Sequence, residues 1–189
     1  MIRATIIAAL AALSFATPGL AQPLSGSATG PLAERLLAAH NRERLAVGAP
    51  ALQWDPRLAA HAASYGPVLA SLRRLEHSPR ETRPGERENL ARAWHGTLSP
   101  EQLVAMWSAE KQLLQPGGSG PSCPPQFGCL RFPAASRTGQ WQDVAHYTQM
   151  IWPTTTHVGC AIFAGDWDYL ICRYSPPGNI DGKPVFAAR

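Results

Sequence analysis

The chain has 189 residues, 45% of them hydrophobic, with four cysteines and a formal net charge of +4. That length and apolar content suit one domain with a real core rather than two. Apart from Arg73-Arg74 and the mixed-charge stretch Glu86 to Asn89, no dense basic run occurs, so the sequence lacks the concentrated patch that nucleic acid requires.

The N-terminus opens with Arg3, an apolar run from Ile6 to Phe15, and Gly19-Leu20-Ala21. This is the order of a signal peptide with a small-residue cleavage site, so residues 1–21 are expected to direct export to a periplasm or the extracellular space, and the mature chain to begin at Gln22. Pro18 and Gly19 interrupt the run before the roughly 20 residues a membrane span needs, and no later segment is apolar enough to be transmembrane. Residues 22–30 read as a flexible leader, and residues 31–189 as the single domain.

From Pro31 the spacing of Leu32, Leu36, Ala39 and His40 predicts a helix ending at Gly48. Asp55-Pro56 reads as an N-cap and first helical residue, with Leu58, Ala59, Ala62 and Ala63 at helical spacing behind it and Pro67 expected to kink or interrupt the helix. A third helix opens at Ser99-Pro100 with Gln102 completing a capping box. Its stripe is Leu103, Met106, Trp107 and Leu114, and Glu110 falls on that same face. A carboxylate so placed predicts a cationic or hydrogen-bonding partner, unless it sits at the edge of the stripe and reaches water.

Residues 115–140, rich in Pro, Gly and Ser, read as a long loop. HVGCAIF and DYLICRY then have strand composition and flank a turn at Gly165-Asp166, the pattern of a hairpin. If Phe163 pairs with Tyr169, Cys160 faces Cys172. Four cysteines in an exported chain imply two disulfides, with three pairings open. Cys160 with Cys172, and Cys123 with Cys129 across the loop CPPQFGC, is the pairing favoured. Zinc held by the cysteines is the weaker alternative, since no CxxC pair occurs.

The histidines are His40, His61, His77, His95, His146 and His157. None forms an HExxH or close HxH motif, and GxSxG, P-loop and dinucleotide fingerprints are missing too. The chain as a whole nevertheless resembles the CAP superfamily, the domain shared by cysteine-rich secretory proteins, antigen 5 and pathogenesis-related class one proteins. The resemblance rests on AHNRERLAVGAPALQW followed by LAAHA, on AHYTQMIWPTTT, and on YLICRYSPPGNI. It implies an α+β fold, an α-β-α sandwich with a small antiparallel sheet between helical layers. It also implies a cleft lined by His77, Glu88, Glu110 and His146.

Imidazole nitrogens suit zinc or a similar divalent cation, while carboxylates can ligate the ion, orient the imidazoles, or act as a base on bound water. His40, His61, His95 and His157 fall outside this set. Tyr147, Trp152, Trp54 and Tyr174 read as core aromatics, and Asn41, Asn89 and Asn179 as anchors of backbone turns. Two positions depart from the family pattern: Ala145 and Arg87 stand where glycine is usual. Arg87 raises two expectations, that Glu86 substitutes for Glu88 in the cleft, and that the arginine neutralises the Glu88 carboxylate.

The resemblance therefore implies a secreted binding module whose cleft takes a divalent metal, a lipid or sterol, or a protein partner. The alternative is a metal-assisted, peptidase-like hydrolase using Glu88 or Glu110 as base. A further alternative is a structural, envelope-associated role.

Overall fold

The structure is a computed structural model that describes residues 30–115 and 129–186. The expected signal peptide, most of the leader and Cys123 lie outside these residues.

Helix α1 (Pro31–Val47) begins with proline, whose missing N–H costs nothing in a first turn, and ends on Gly48 at φ 73°. Its buried face is Ala33, Leu36, Ala39, His40, Glu43, Arg44 and Val47. Leu32, expected on that stripe, is 40% exposed. The stripe contains two buried charges, so reading it by hydrophobicity alone centres it one residue too early. Arg44 is fully buried and donates to the carbonyls of Pro50, Met150, Trp152 and Thr155 at 2.5–2.9 Å. It thereby pins α1 to the segment after the last helix.

A two-residue strand, β1 (Gln53–Trp54), leads into α2 (Pro56–Leu72). Asp55 caps α2 by accepting from the N–H groups of Arg57 and Leu58. The helix is not interrupted at Pro67. Both Pro67 and Ala63, whose carbonyl loses its helical partner, are exposed, so that carbonyl can be hydrated instead.

Strand β2 (Arg87–Trp94) precedes α3 (Pro100–Ser108). The Ser99/Gln102 capping box is complete, and the buried face is Leu103, Val104, Trp107 and Ser108, while Met106 is 46% exposed. The chain then tightens into a 3-10 turn, Ala109–Leu113. After the loop, a 3-10 turn at Trp141–Val144 runs into the short helix α4 (Ala145–Met150). Strands β3 (His157–Ala164) and β4 (Trp167–Ser175) complete the order.

The four strands form one sheet in the order β1-β3-β4-β2. The β3–β4 hairpin pairs Phe163 with Tyr169 and Cys160 with Cys172, and those cysteines form a disulfide. β2 adds antiparallel to β4, whereas β1 adds parallel to β3, so the sheet is mixed at one edge. Alternation along the strands divides the core in two. Leu90, Tyr169 and Ile171 pack with Ala62 and Leu69 of α2. Ala91, Val158, Cys160, Leu170, Cys172 and Tyr174 pack with Leu36, Val104, Trp107 and Met150 from α1, α3 and α4. The result is the α-β-α sandwich.

At Gly159 the sheet approaches α2 so closely that a Cβ would lie 2.2 Å from the Ala59 nitrogen. Among the described residues no helix is long and apolar enough to cross a membrane.

Candidate functional site

His77 lies in the segment linking α2 to a 3-10 turn at Arg80–Thr82, and Glu88 is the second residue of β2. The Glu88 side chain is fully buried and its oxygens are occupied. One accepts from His77 Nδ1 at 2.8 Å and from the Ser78 N–H at 3.0 Å; the other accepts from Ser78 Oγ and from the Arg173 guanidinium, both at 3.0 Å. Burial raises the Glu88 pKa, but the His77 hydrogen bond, the Arg173 charge and the Ser78 amide outweigh it and hold the carboxyl below its ordinary range.

A second pair repeats the plan on the other side of the sheet. Glu110, in the 3-10 turn after α3, accepts from His146 Nδ1 at 2.6 Å through one oxygen. Its other oxygen accepts from the backbone N–H groups of His146 and Tyr147, both at 3.0 Å. These amides belong to the first turn of α4, where no helical carbonyl can reach them, so Glu110 caps that helix from outside. The partner that its place in the sequence demanded is thus a ring and two amides rather than a cation.

His77, Glu88 and His146 line one cavity of about 750 Å3, with Glu110 behind His146. In both pairs the carboxylate holds a proton on Nδ1, which leaves Nε2 as the ring nitrogen with a free lone pair. That arrangement suits two imidazole donors to a divalent ion, with the carboxylates as orienting partners. It does not suit Glu88 as a base, because its two oxygens accept from four donors; Glu110 accepts from three and stands behind His146, off the cavity wall.

Among the described residues, the one set of three or more His, Cys or acidic side chains with donor atoms within 4.8 Å of one another is His40, Cys160 and Cys172. Those sulfurs are bonded to each other, and both His40 nitrogens are occupied, so this trio offers no metal site. Cys129 is also disulfide-bonded, and its expected partner Cys123 lies outside the described residues.

Two expectations about β2 are corrected. Glu86 does not replace Glu88: it accepts from His61 at 2.7 Å and faces Arg173 Nη1 at 3.6 Å, away from the cavity wall. Nor does Arg87 neutralise Glu88; Arg173, its cross-strand partner, does so. Neighbouring residues of a strand point to opposite faces, so Arg87 and Glu88 diverge. An arginine inside the apolar run LICRY was the signal in the sequence for a buried acidic partner.

Asn89 was read as a turn anchor, and its amide instead ties the site to the core. It donates to the His146 carbonyl at 3.0 Å and to Tyr174 Oη at 3.1 Å. Tyr174 in turn donates to His40 Nε2 at 2.8 Å, and His40 Nδ1 donates to the Leu36 carbonyl at 2.7 Å. Asn179, at φ 51°, holds the start of α4 through the Ala145 carbonyl and Thr148.

Residues 37–174 match the cysteine-rich secretory protein family, CAP. The chain belongs to that family. This CAP domain is 34% identical over 152 residues to pathogenesis-related protein 1C of Nicotiana tabacum, covering 79% of this chain and 78% of the relative. Among solved structures it is similar to NaASP2 with Zn2+, with a TM-score of 0.65 at 22% identity over 85% of this chain and 88% of that one. It is likewise similar to BmVAL-1, with a TM-score of 0.63 at 22% identity over 87% and 86% of the two chains. At those identities the structural likeness speaks for the fold alone.

Proposed function

We propose that this CAP domain is an exported binding module whose cleft holds a divalent metal, zinc by the chemistry of the donors, on His77 and His146. The observation that carries the reading is the paired geometry: each imidazole is fixed through Nδ1 by a carboxylate, at 2.8 Å for His77 and 2.6 Å for His146, and both rings line one cavity. A bound ion would supply a positive Lewis-acid centre in the cleft. The chain's own contribution is orientation, with Glu88 and Glu110 fixing the tautomers and Asn89 fixing the His146 backbone. Zinc is also the ion named with NaASP2, a neighbour in fold, which makes it the metal to try first. Residues 1–21 would supply the export signal, and a disulfide-bonded hairpin fits an oxidising compartment.

The four donors on the Glu88 oxygens, and the place of Glu110 behind His146 instead of on the cavity wall, favour this reading over the hydrolase, which needs one of these carboxylates as a base. The test is zinc uptake by purified protein, followed by native mass spectrometry. One equivalent is expected in the parent and none in the His77→Ala/His146→Ala double variant; unchanged uptake in that variant would falsify the proposed centre.

A further inference from the structure

Arg80, Arg83 and Arg87 all line the same cavity as the two histidines. Among the described residues none of the three is ion-paired with a carboxylate, although Arg35, Arg57, Arg73, Arg74 and Arg173 all are. Arg83 is 7% exposed and spends its donors on two backbone carbonyls, Ser78 at 3.1 Å and Glu86 at 3.4 Å; the Glu88 and Glu86 charges act on it without a direct ion pair, against those of Arg173 and Arg80. The side chains of Arg80 and Arg87 make no hydrogen bond among the described residues. Of the acidic groups on the cavity wall, Glu88 is bonded to His77 and Arg173, and Asp181 acts on Arg87, so three guanidinium groups share the wall with two carboxylates.

Burial of Arg83 and Arg87, together with the neighbouring arginine charges, lowers the pKa of both. Like charges held together at the wall of a cleft raise the free energy of the free protein and favour any anion that joins them. The rest of the lining has a different character. Phe132 and Pro133 contribute apolar surface, and Trp141 and Ile180 remain 44% and 41% exposed. A cavity of about 750 Å3 is in the range of small-molecule sites.

We infer that the cleft takes an amphiphilic oxyanion, a phosphate or similar head group held by Arg80, Arg83 and Arg87 with an apolar portion against Trp141 and Ile180. This rests on the binding-module reading above but not on the metal. The head group can belong to a free amphiphile or to a membrane lipid, and the chemistry recognised is the same.

The test is calorimetric titration of EDTA-treated protein with dodecyl phosphate below its micellar concentration, with inorganic phosphate as the head-group control. Dodecyl phosphate is expected to bind more tightly than phosphate, and its affinity to fall steeply with added salt. Arg80→Gln/Arg87→Gln should weaken it by about tenfold or more. Among the described residues these two side chains make no hydrogen bond or ion pair, so the variant should fold; Arg42→Gln/Arg57→Gln, with the same loss of charge elsewhere, should bind as the parent does.

His77→Ala/His146→Ala should keep arginine-dependent binding even if it loses zinc, which separates failure of this inference from failure of the metal reading. Arginine-dependent binding to phosphatidylcholine vesicles containing phosphatidic acid would assign the head group to a membrane lipid; binding of the monomeric amphiphile alone would assign it to a free one. No binding by the parent at millimolar ligand, equal binding by the Arg80/Arg87 variant, or equal affinity for inorganic phosphate and dodecyl phosphate would overturn the inference.

Discussion

Glu110 does three things with two oxygens, and each uses an oxygen as an acceptor. It orients the His146 ring, and it holds two amides at the start of a helix of six residues, too short to be stable by itself. Glu110→Gln retains the shape but puts an amide donor where an acceptor is needed. Zinc affinity is expected to fall about 10- to 100-fold, the usual cost of losing an orienting partner of a ligand histidine. Nitrogen-15 spectra of the His146 ring should show the loss of the single tautomer. An unchanged affinity together with an unchanged ring spectrum would mean that Glu110 serves only as a helix cap.

At the scale of elements, the decisive contact is that of α2 with the β3–β4 hairpin. Gly159 permits it, since a methyl group there would meet the Ala59 nitrogen at 2.2 Å and the Asp55 carbonyl at 2.4 Å, both backbone atoms that cannot swing aside. Gly159→Ala should therefore lower stability by about 3 kcal/mol, read as an earlier midpoint in urea, whereas Gly165→Ala in the open hairpin turn should do far less. If both glycines tolerate alanine equally, the close approach of helix and sheet is wrong.

The hairpin register was legible in the sequence because alternating apolar residues and a tight turn leave one pairing that faces Cys160 with Cys172. Strand β2 was not, because RENLARAW is poor in β-branched residues and becomes a strand only through the open edge of β4. Motif resemblance named both site histidines and both glutamates, but the pairing of His77 with Glu88 and of His146 with Glu110 depends on contacts between distant segments. The arginine wall was invisible for the same reason, since Arg80 and Arg83 come from a turn and Arg87 from a strand whose facing is set by register.

For the molecule as a whole, the core carries its own acid sensitivity. His40 is completely buried between Leu36 and Tyr174, near Arg44, and burial lowers its pKa from 6.5 to about 4. The unfolded imidazole takes up a proton first as pH falls, so the stabilising effect of a neutral His40 is complete above pH 6.5 and declines toward pH 4. Between pH 7 and pH 5 the loss is about 2 kcal/mol. Carboxyl groups held below their ordinary range, such as the buried Glu88 and Asp168, lose their contribution only when pH falls below the usual carboxyl values, so the two windows are separable. Urea unfolding at pH 7 and pH 5 should show the His40 loss in the parent and a flatter dependence in His40→Gln. Equal slopes in the two proteins would remove His40 as the sensor.

Glu88 and Asn89 are consecutive residues, and because they stand on a strand they address opposite faces of the sheet. One grips the ring of His77 and the other the backbone carbonyl of His146. The gap between the two imidazoles is therefore gauged by a single dipeptide, through the thickness of the sheet rather than the reach of a loop. A slip of β2 by one position against β4 would turn Asn89 toward His77 and leave His146 without its anchor.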